Sequence, residues 1–481
     1  MSKAKELGQF WTPNWVAKAM VAFGAEVAPG TMLDPAVGLG VFPLQALSLG
    51  LAFEFKGIEK DPDLIKSVPN PSVRARIAQG DFLLFPFEEK FDFIVANPPY
   101  IRHHHLSSEY KDHLSQLAEK TLGFRIDRRA GIHIYFLIKS LTLLKPRGRL
   151  VFIVPADVFE GKFAPSLWNW IARRYAIRAV VTFTSDASPF PGLDINPIIV
   201  FLEHSPPSTT LYWARVLTPA TEDLFRFVQS QFRATGKDIE VTLRDTREAL
   251  DTGLSRPPRL SKQGRFSLKD FAIVRRGIAT GANKFFLLSR PQVEDLRLSE
   301  EFLVPAVAKT RYLTTTKFTP ENLKSLEVAG KPVFLFSPDG RPLSEFPEPV
   351  RRYITYGEQL GLHKKSLLSK RNPWYKMETR SPPEFFFAYL GRRNARFVRN
   401  LAGAVPLTTL LAVYPYNKSE EHLDILESVL NHPEVLEGLV FVAKSYGGGA
   451  IKAEPRQLER LPIPDNLAEK LLSQTTLLSP R

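Results

Sequence analysis

Asn97-Pro98-Pro99-Tyr100, at the end of the apolar run FDFIVA, brings an amide oxygen, a proline carbonyl and an aromatic ring together where a strand gives way to a turn. Those groups suit a flat heterocycle that carries an exocyclic amine. Such an amine is a weak nucleophile, because its lone pair is delocalised into the ring, and alkylating it requires drawing the pair back onto nitrogen. Two acceptors bonded to its two N–H groups achieve this. The Asn97 side-chain oxygen and the Pro98 carbonyl are the acceptors on offer, and Tyr100 can stack on the ring they hold. The same residues also make an ordinary strand exit, since Pro-Pro ends a strand and Asn opens a turn.

The elements that precede this motif bear on the choice. Leu33-Asp34-Pro35-Ala36-Val37-Gly38-Leu39-Gly40 follows a short apolar segment and opens the helical pattern FPLQALSL. Gly38 and Gly40 allow a ligand close to the backbone, and Asp34 at the strand end can accept hydrogen bonds. The spacing differs from that of dinucleotide-binding loops, so a pyrophosphate is not indicated. The next strand, FEFKGIEKDPD, ends in Glu59, roughly the 20 residues on at which such folds place an acidic residue against ribose hydroxyls. A third strand, ARIAQGDF, ends in Asp81 and Phe82, a pair able to bond and cover an adenine ring. Consecutive strand ends thus carry ligand-type residues along one sheet edge, where doubly wound folds keep their sites.

With these motifs in place, the chain resembles the S-adenosylmethionine-dependent amino-methyltransferases of DNA, in particular the adenine-N6 enzymes of restriction and modification systems with gamma motif order. That order runs from a segment like Gly8-Gln9-Phe10-Trp11-Thr12-Pro13 through the cofactor half and NPPY to a target recognition domain. The resemblance implies a Rossmann-like α/β catalytic domain with a mostly parallel seven-stranded sheet, followed by a mixed α+β recognition domain. It implies that Thr12 and Pro13 line the methionine end of S-adenosylmethionine, that Asp34, Ala36, Gly38 and Gly40 form its loop, that Glu59 holds the ribose, and that Asp81 and Phe82 hold the adenine. It also implies that Asn97 contacts the cofactor as well as the target. Family members also carry an aromatic-proline pair where Phe190-Pro191 stands, so Phe190 is the candidate to stack on an extruded base opposite Tyr100; as an alternative it is a core plug. GQFWTP also reads as a helix entry, with Thr12 as N-cap and Pro13 at the first helical position.

The implied reaction is methyl transfer to the N6 amine of an adenine flipped from duplex DNA, without metal. Cytosine N4 presents the same geometry, and NPPY-type pockets also serve enzymes acting on RNA bases or protein glutamine. A recognition subunit with an inactive fold is the non-enzymatic alternative. Double-stranded DNA is the expected partner, and a separately encoded endonuclease is compatible with the family.

Composition sets the frame. At 481 residues two domains are expected, and the absence of cysteine excludes disulfides, thiolate zinc sites and a cysteine nucleophile. No apolar run reaches the ~18 residues of a membrane span, so a cytoplasmic protein is expected. The net charge of +14 suits a polyanion. Basic residues crowd the second half, in HKKSLLSKRNPWYKMETR and GRRNARFVRN, alternating with aromatics that equally well build a domain core. Candidate DNA contacts are Arg275, Arg276 and Lys284 in VRRGIATGANKFF, Arg393 and Arg396, and Lys452 in the closing segment SYGGGAIKAEPRQLERLPIP. The Pro-rich, basic stretch GLSRPPRLSKQG marks a linker, giving a catalytic domain over 1–252, a linker over 253–265 and a recognition domain over 266–481. His103-His104-His105 are poorly spaced for one ion, and Lys145-Pro146-Arg147-Gly148 lacks the ending of a phosphate loop.

Overall fold

Long apolar runs in the first half form strands β1 (Gly30–Asp34), β2 (Phe53–Glu59), β3 (Ile77–Gln79), β4 (Phe91–Ala96), β5 (Leu144–Pro155), β6 (Ala176–Phe183), β7 (Pro197–Glu203), β8 (Thr210–Val216) and β9 (Ile239–Asp245). In this computed structural model, which describes residues 10–101, 106–127, 130–159, 163–184, 186–193, 195–258, 265–388, 395–446 and 450–475, they make one sheet in the order β3-β2-β1-β4-β5-β7-β6-β8-β9. The sheet has nine strands rather than the expected seven. β8 pairs in parallel with β6, and β9 closes the edge antiparallel to β8. β9 reads IEVTLRD, half-polar because it is an edge strand, and so lacks the apolar run that marked the others.

β4 is buried at nearly every position because both faces of the sheet are covered. Leu33, Ile94, Leu150 and Phe152 belong to the core on one face, and Met32, Phe93, Val95 and Val151 to the core on the other. This is the two-residue alternation of a strand. Helices α1 (Asn14–Ala22) and α2 (Val41–Ser48) supply the second core, and α3 (Ser108–Leu122) and α4 (Ile132–Thr142) the first. β1, β2, β3 and β4 run parallel, with Asp34 level with Gly57 and Glu59 level with Gln79, so their carboxyl ends open on one edge.

The described residues fall into two compact units, one made of those up to Pro258 with Ser445 and Tyr446, and the other of the remaining residues from Arg265 on. Gly253 to Pro258, placed in the linker on sequence grounds, belongs to the first unit. The buried guanidinium of Arg244 donates to the carbonyls of Gly253 at 3.3 Å and Arg256 at 2.5 Å, and Leu254 joins the core. The second unit is mixed α+β. Ala272–Arg276, Leu411–Pro415, Phe385–Ala388, Arg396–Asn400 and Lys317–Phe318 form one sheet in that order. Phe385, Phe386, Phe387 and Phe397 are fully buried, so the aromatics among its charges are core. No helix among the described residues is long and apolar enough to cross a membrane.

Candidate active site

The turn after β1 is built by two glycines in the left-handed region, Gly38 at φ 56° and Gly40 at φ 78°. A Cβ on Gly38 would come within 2.9 Å of the Trp11 ring, so only glycine fits between that indole and the turn. Glu59 holds the turn from the neighbouring strand. One carboxylate oxygen accepts from the Gly38 amide at 2.8 Å, and the other from the Lys60 and Asp61 amides at 2.8 and 2.9 Å. Asp34 lies wholly buried beneath. One of its oxygens accepts from the Ala36 amide at 3.1 Å, and the other, Oδ2, has no partner among the described residues. Burial pushes this carboxyl from an ordinary 3.8 up to about 8, so the free protein holds it protonated at neutral pH.

Asp81, just past β3, accepts from the Leu83 amide at 3.0 Å, from the Tyr110 hydroxyl at 2.9 Å and from Lys60 Nζ at 3.1 Å. The Phe82 ring packs on Phe136. Lys139, absent from the sequence reading, fixes this turn by donating to the carbonyls of Phe82, Leu83 and Phe85 at 2.8, 3.1 and 2.7 Å. Half-burial lowers its ammonium to about 8. Its position on α4, one helical turn beyond Tyr135, carried no local sign of this role.

At the motif itself, the Asn97 side chain donates Nδ2 to the Phe10 carbonyl at 2.6 Å and to Thr12 Oγ1 at 3.0 Å. A carbonyl can only accept, so the nitrogen must be on that side and Oδ1 points the other way. Among the described residues, nothing donates to Oδ1 or to the Pro98 carbonyl. Helix α1 begins with Pro13, not Thr12, in the capping position, because the Pro13 carbonyl already accepts from the Val16 and Ala17 amides while its own backbone is still extended. The Tyr100 hydroxyl donates to the Ile153 carbonyl at 3.1 Å, and burial drives its phenol well above the usual range. Phe190 is 4% exposed. It and Tyr100 both pack against Phe10, with ring centroids at 6.0 and 5.5 Å.

One cavity of about 640 Å³ is lined by Thr12, Ala36, Gly38, Glu59, Asp81, Phe82, Asn97 and Pro98, residues spread over the ends of four strands and the segment before α1. Asp34, Gly40, Pro13, Tyr100 and Phe190 stand outside its lining. The sequence reading missed Phe10, Trp11, Lys60 and Ile101 of the wall. The carboxylates of Glu59 after β2 and Asp81 after β3 and an aromatic cover at Phe82, all in the lining, fit a nucleoside carrying positive charge. No group of three or more potential metal ligands occurs among the described residues.

In the second unit Arg275 is exposed on its strand, Arg276 is exposed and ion-paired with Glu454, and Lys284 lies at the rim of a second cavity. Arg396 is different. Its guanidinium donates to the carbonyls of Leu313 at 2.8 Å and Thr314 at 3.0 Å, a structural role. Arg393, His103, His104 and His105 lie outside the described residues, as does the side chain of Lys452. Lys145-Pro146-Arg147-Gly148 is no turn before a strand but part of β5, where the pairing with β4 shifts register between Leu144 and Arg149, and Lys145 donates to Asp92 at 2.8 Å.

A family model described as the Eco57I restriction-modification methylase matches residues 56–190, and one described as the C-terminal domain of the Type II methyltransferase M.Eco57I matches residues 256–478. The chain is 24% identical over 469 residues to the Type II methyltransferase M.AccI of Acinetobacter calcoaceticus, covering 95% of this chain and 85% of that one. It is 23% identical to the Type II methyltransferase M.XamI of Xanthomonas campestris pv. amaranthicola, over 96% of this chain and 86% of that one. The fold is similar to that of the Type IIL restriction-modification enzyme MmeI, solved in complex with DNA, at a TM-score of 0.55 and 13% identity, covering 93% of this chain and 65% of that longer one.

Proposed function

We propose, from the premise that this chain belongs to the Eco57I-type restriction-modification methyltransferases, that it is a DNA methyltransferase and that its target is the N6 amine of an adenine turned out of duplex DNA. The observation that carries the reading is the Asn97 amide. With Nδ2 anchored on Phe10 and Thr12, Oδ1 and the Pro98 carbonyl, to which nothing among the described residues donates, offer two acceptors on residues of the cavity wall, as two N–H groups of an exocyclic amine require. Bonding to both acceptors localises the amine's lone pair. No strong general base is needed, because the nitrogen becomes acidic once alkylated and its proton can pass to water.

S-adenosylmethionine, when bound, supplies an electrophilic methyl on a sulfonium. Ala36, Gly38 and Glu59 would hold its methionine and ribose portions, Asp81 and Phe82 its adenine, and Asp34 would ionise against its positive charge. Tyr100 and Phe190 would stack on the target base after Phe10 yields its place against them, returning about 1–3 kcal/mol per stacked face toward the cost of unstacking. Arg275, Arg276 and Lys284 are the contacts proposed for the DNA backbone.

The test is to incubate the protein with isotopically labelled S-adenosylmethionine and unmodified plasmid, then digest to nucleosides for mass spectrometry. N6-methyladenine is expected. N4-methylcytosine would overturn the choice of base, and unlabelled nucleosides would overturn the activity.

A further inference from the structure

Two acceptors from a single segment, Phe10 to Thr12, take both hydrogens of one side-chain amide that lies 87 residues away in the chain. The Phe10 carbonyl is backbone and cannot be changed by substitution, but Thr12 Oγ1 can. Thr12 is 6% exposed, and its hydroxyl is not used to cap α1. Trp11, between them, covers the glycine turn, so the segment spans from the turn after β1 to the motif after β4.

We infer that Thr12 is a positioning residue for methyl transfer: it fixes the Asn97 amide with Oδ1 toward the target amine, and acts through Asn97 rather than through the cofactor. An amide rotated by half a turn would set Oδ1 against the Phe10 carbonyl and offer the substrate a donor where it needs an acceptor. Phe10 alone opposes that rotation through one contact. Thr12 supplies the second, which fixes the plane of the amide, while the Phe10 carbonyl, unable to donate, sets its sense. The inference rests on the reaction proposed above, but one of its readouts does not.

Thr12→Val keeps the shape and removes the acceptor; Thr12→Ser keeps the acceptor. With DNA and S-adenosylmethionine saturating, Thr12→Val should lower kcat roughly 10- to 100-fold. Its affinity for S-adenosylhomocysteine, read by titration, should stay within about twofold. Thr12→Ser should restore most of the rate. In an Asn97→Ala background Thr12→Val should have no further effect, since the group it positions is gone. An unchanged kcat, or a loss of S-adenosylhomocysteine affinity equal to the loss in rate, overturns the inference. A crystal structure of Thr12→Val in which the Asn97 amide keeps its plane and sense overturns it too, whether or not the wild type methylates DNA. A wild type without transfer sinks the proposed activity instead. Should the valine variant not fold, Thr12→Ala is read against the serine variant in the same assays.

Discussion

Asp34→Asn should make the free protein more stable at alkaline pH and flatten its dependence on pH. The wild-type carboxyl is fully buried, accepts one backbone hydrogen bond and leaves Oδ2 without a partner among the described residues. Burial raises it from 3.8 to about 8. Below pH ~4 both folded and unfolded chains carry the proton and the group contributes no slope. Between there and about 8 the unfolded chain has released it while the folded one retains it, so stability falls as pH rises, by roughly 1.4 kcal/mol per unit. Above about 8 both are ionised and the loss, roughly 6 kcal/mol, is complete. Asparagine is neutral throughout, and its oxygen can still accept from Ala36. Urea unfolding of the two proteins without cofactor should therefore show the variant's advantage growing by roughly 2–3 kcal/mol between pH 6 and pH 9. Identical pH slopes for the two proteins would refute the assignment of a protonated Asp34.

Asn97→Asp should lower the rate about 10²- to 10³-fold at neutral pH, since a carboxylate cannot donate to the Phe10 carbonyl, and the rate should partly recover as pH falls and the carboxyl gains a proton; a pH-independent, wild-type rate would be incompatible with the bond to Phe10. Phe190→Ala removes a buried ring from the core beneath the motif and should cost about 3–5 kcal/mol in thermal or urea unfolding as well as weakening base capture. A variant as stable as wild type would mean that Phe190 is not packed as described. Neutralising Arg275 and Lys284 together should weaken DNA binding and reduce the slope of log affinity against log salt by about two, whereas Arg396→Gln should lower stability and leave the slope alone. Salt titrations by fluorescence anisotropy read both, and a slope that moves only with Arg396 would reverse these roles.

Much of the catalytic half was legible in the sequence because its signals are local. An apolar run buried on both faces reads as a strand, a glycine turn reads as a turn, and Asp34, Glu59, Asp81 and Asn97 each follow such a run directly. Strand direction then brings them to one edge without further information. β9 was not legible, since an edge strand open on one side has little apolar excess, and neither was the extent of the linker, where Arg244 draws Gly253 and Arg256 onto the first unit.

Residue types and their order determined which groups the site contains; the tertiary structure decided what each group is free to do. Asn97 could present either end of its amide until the Phe10 carbonyl came within 2.6 Å of it. Arg396 looked available for a phosphate until two carbonyls claimed its guanidinium. Lys139 gave no sign of holding the Phe82 turn, 57 residues before it. Hydrogen bonds reach only about 3 Å, so which donor meets which acceptor depends on packing between distant segments, and no local pattern in the chain encodes it.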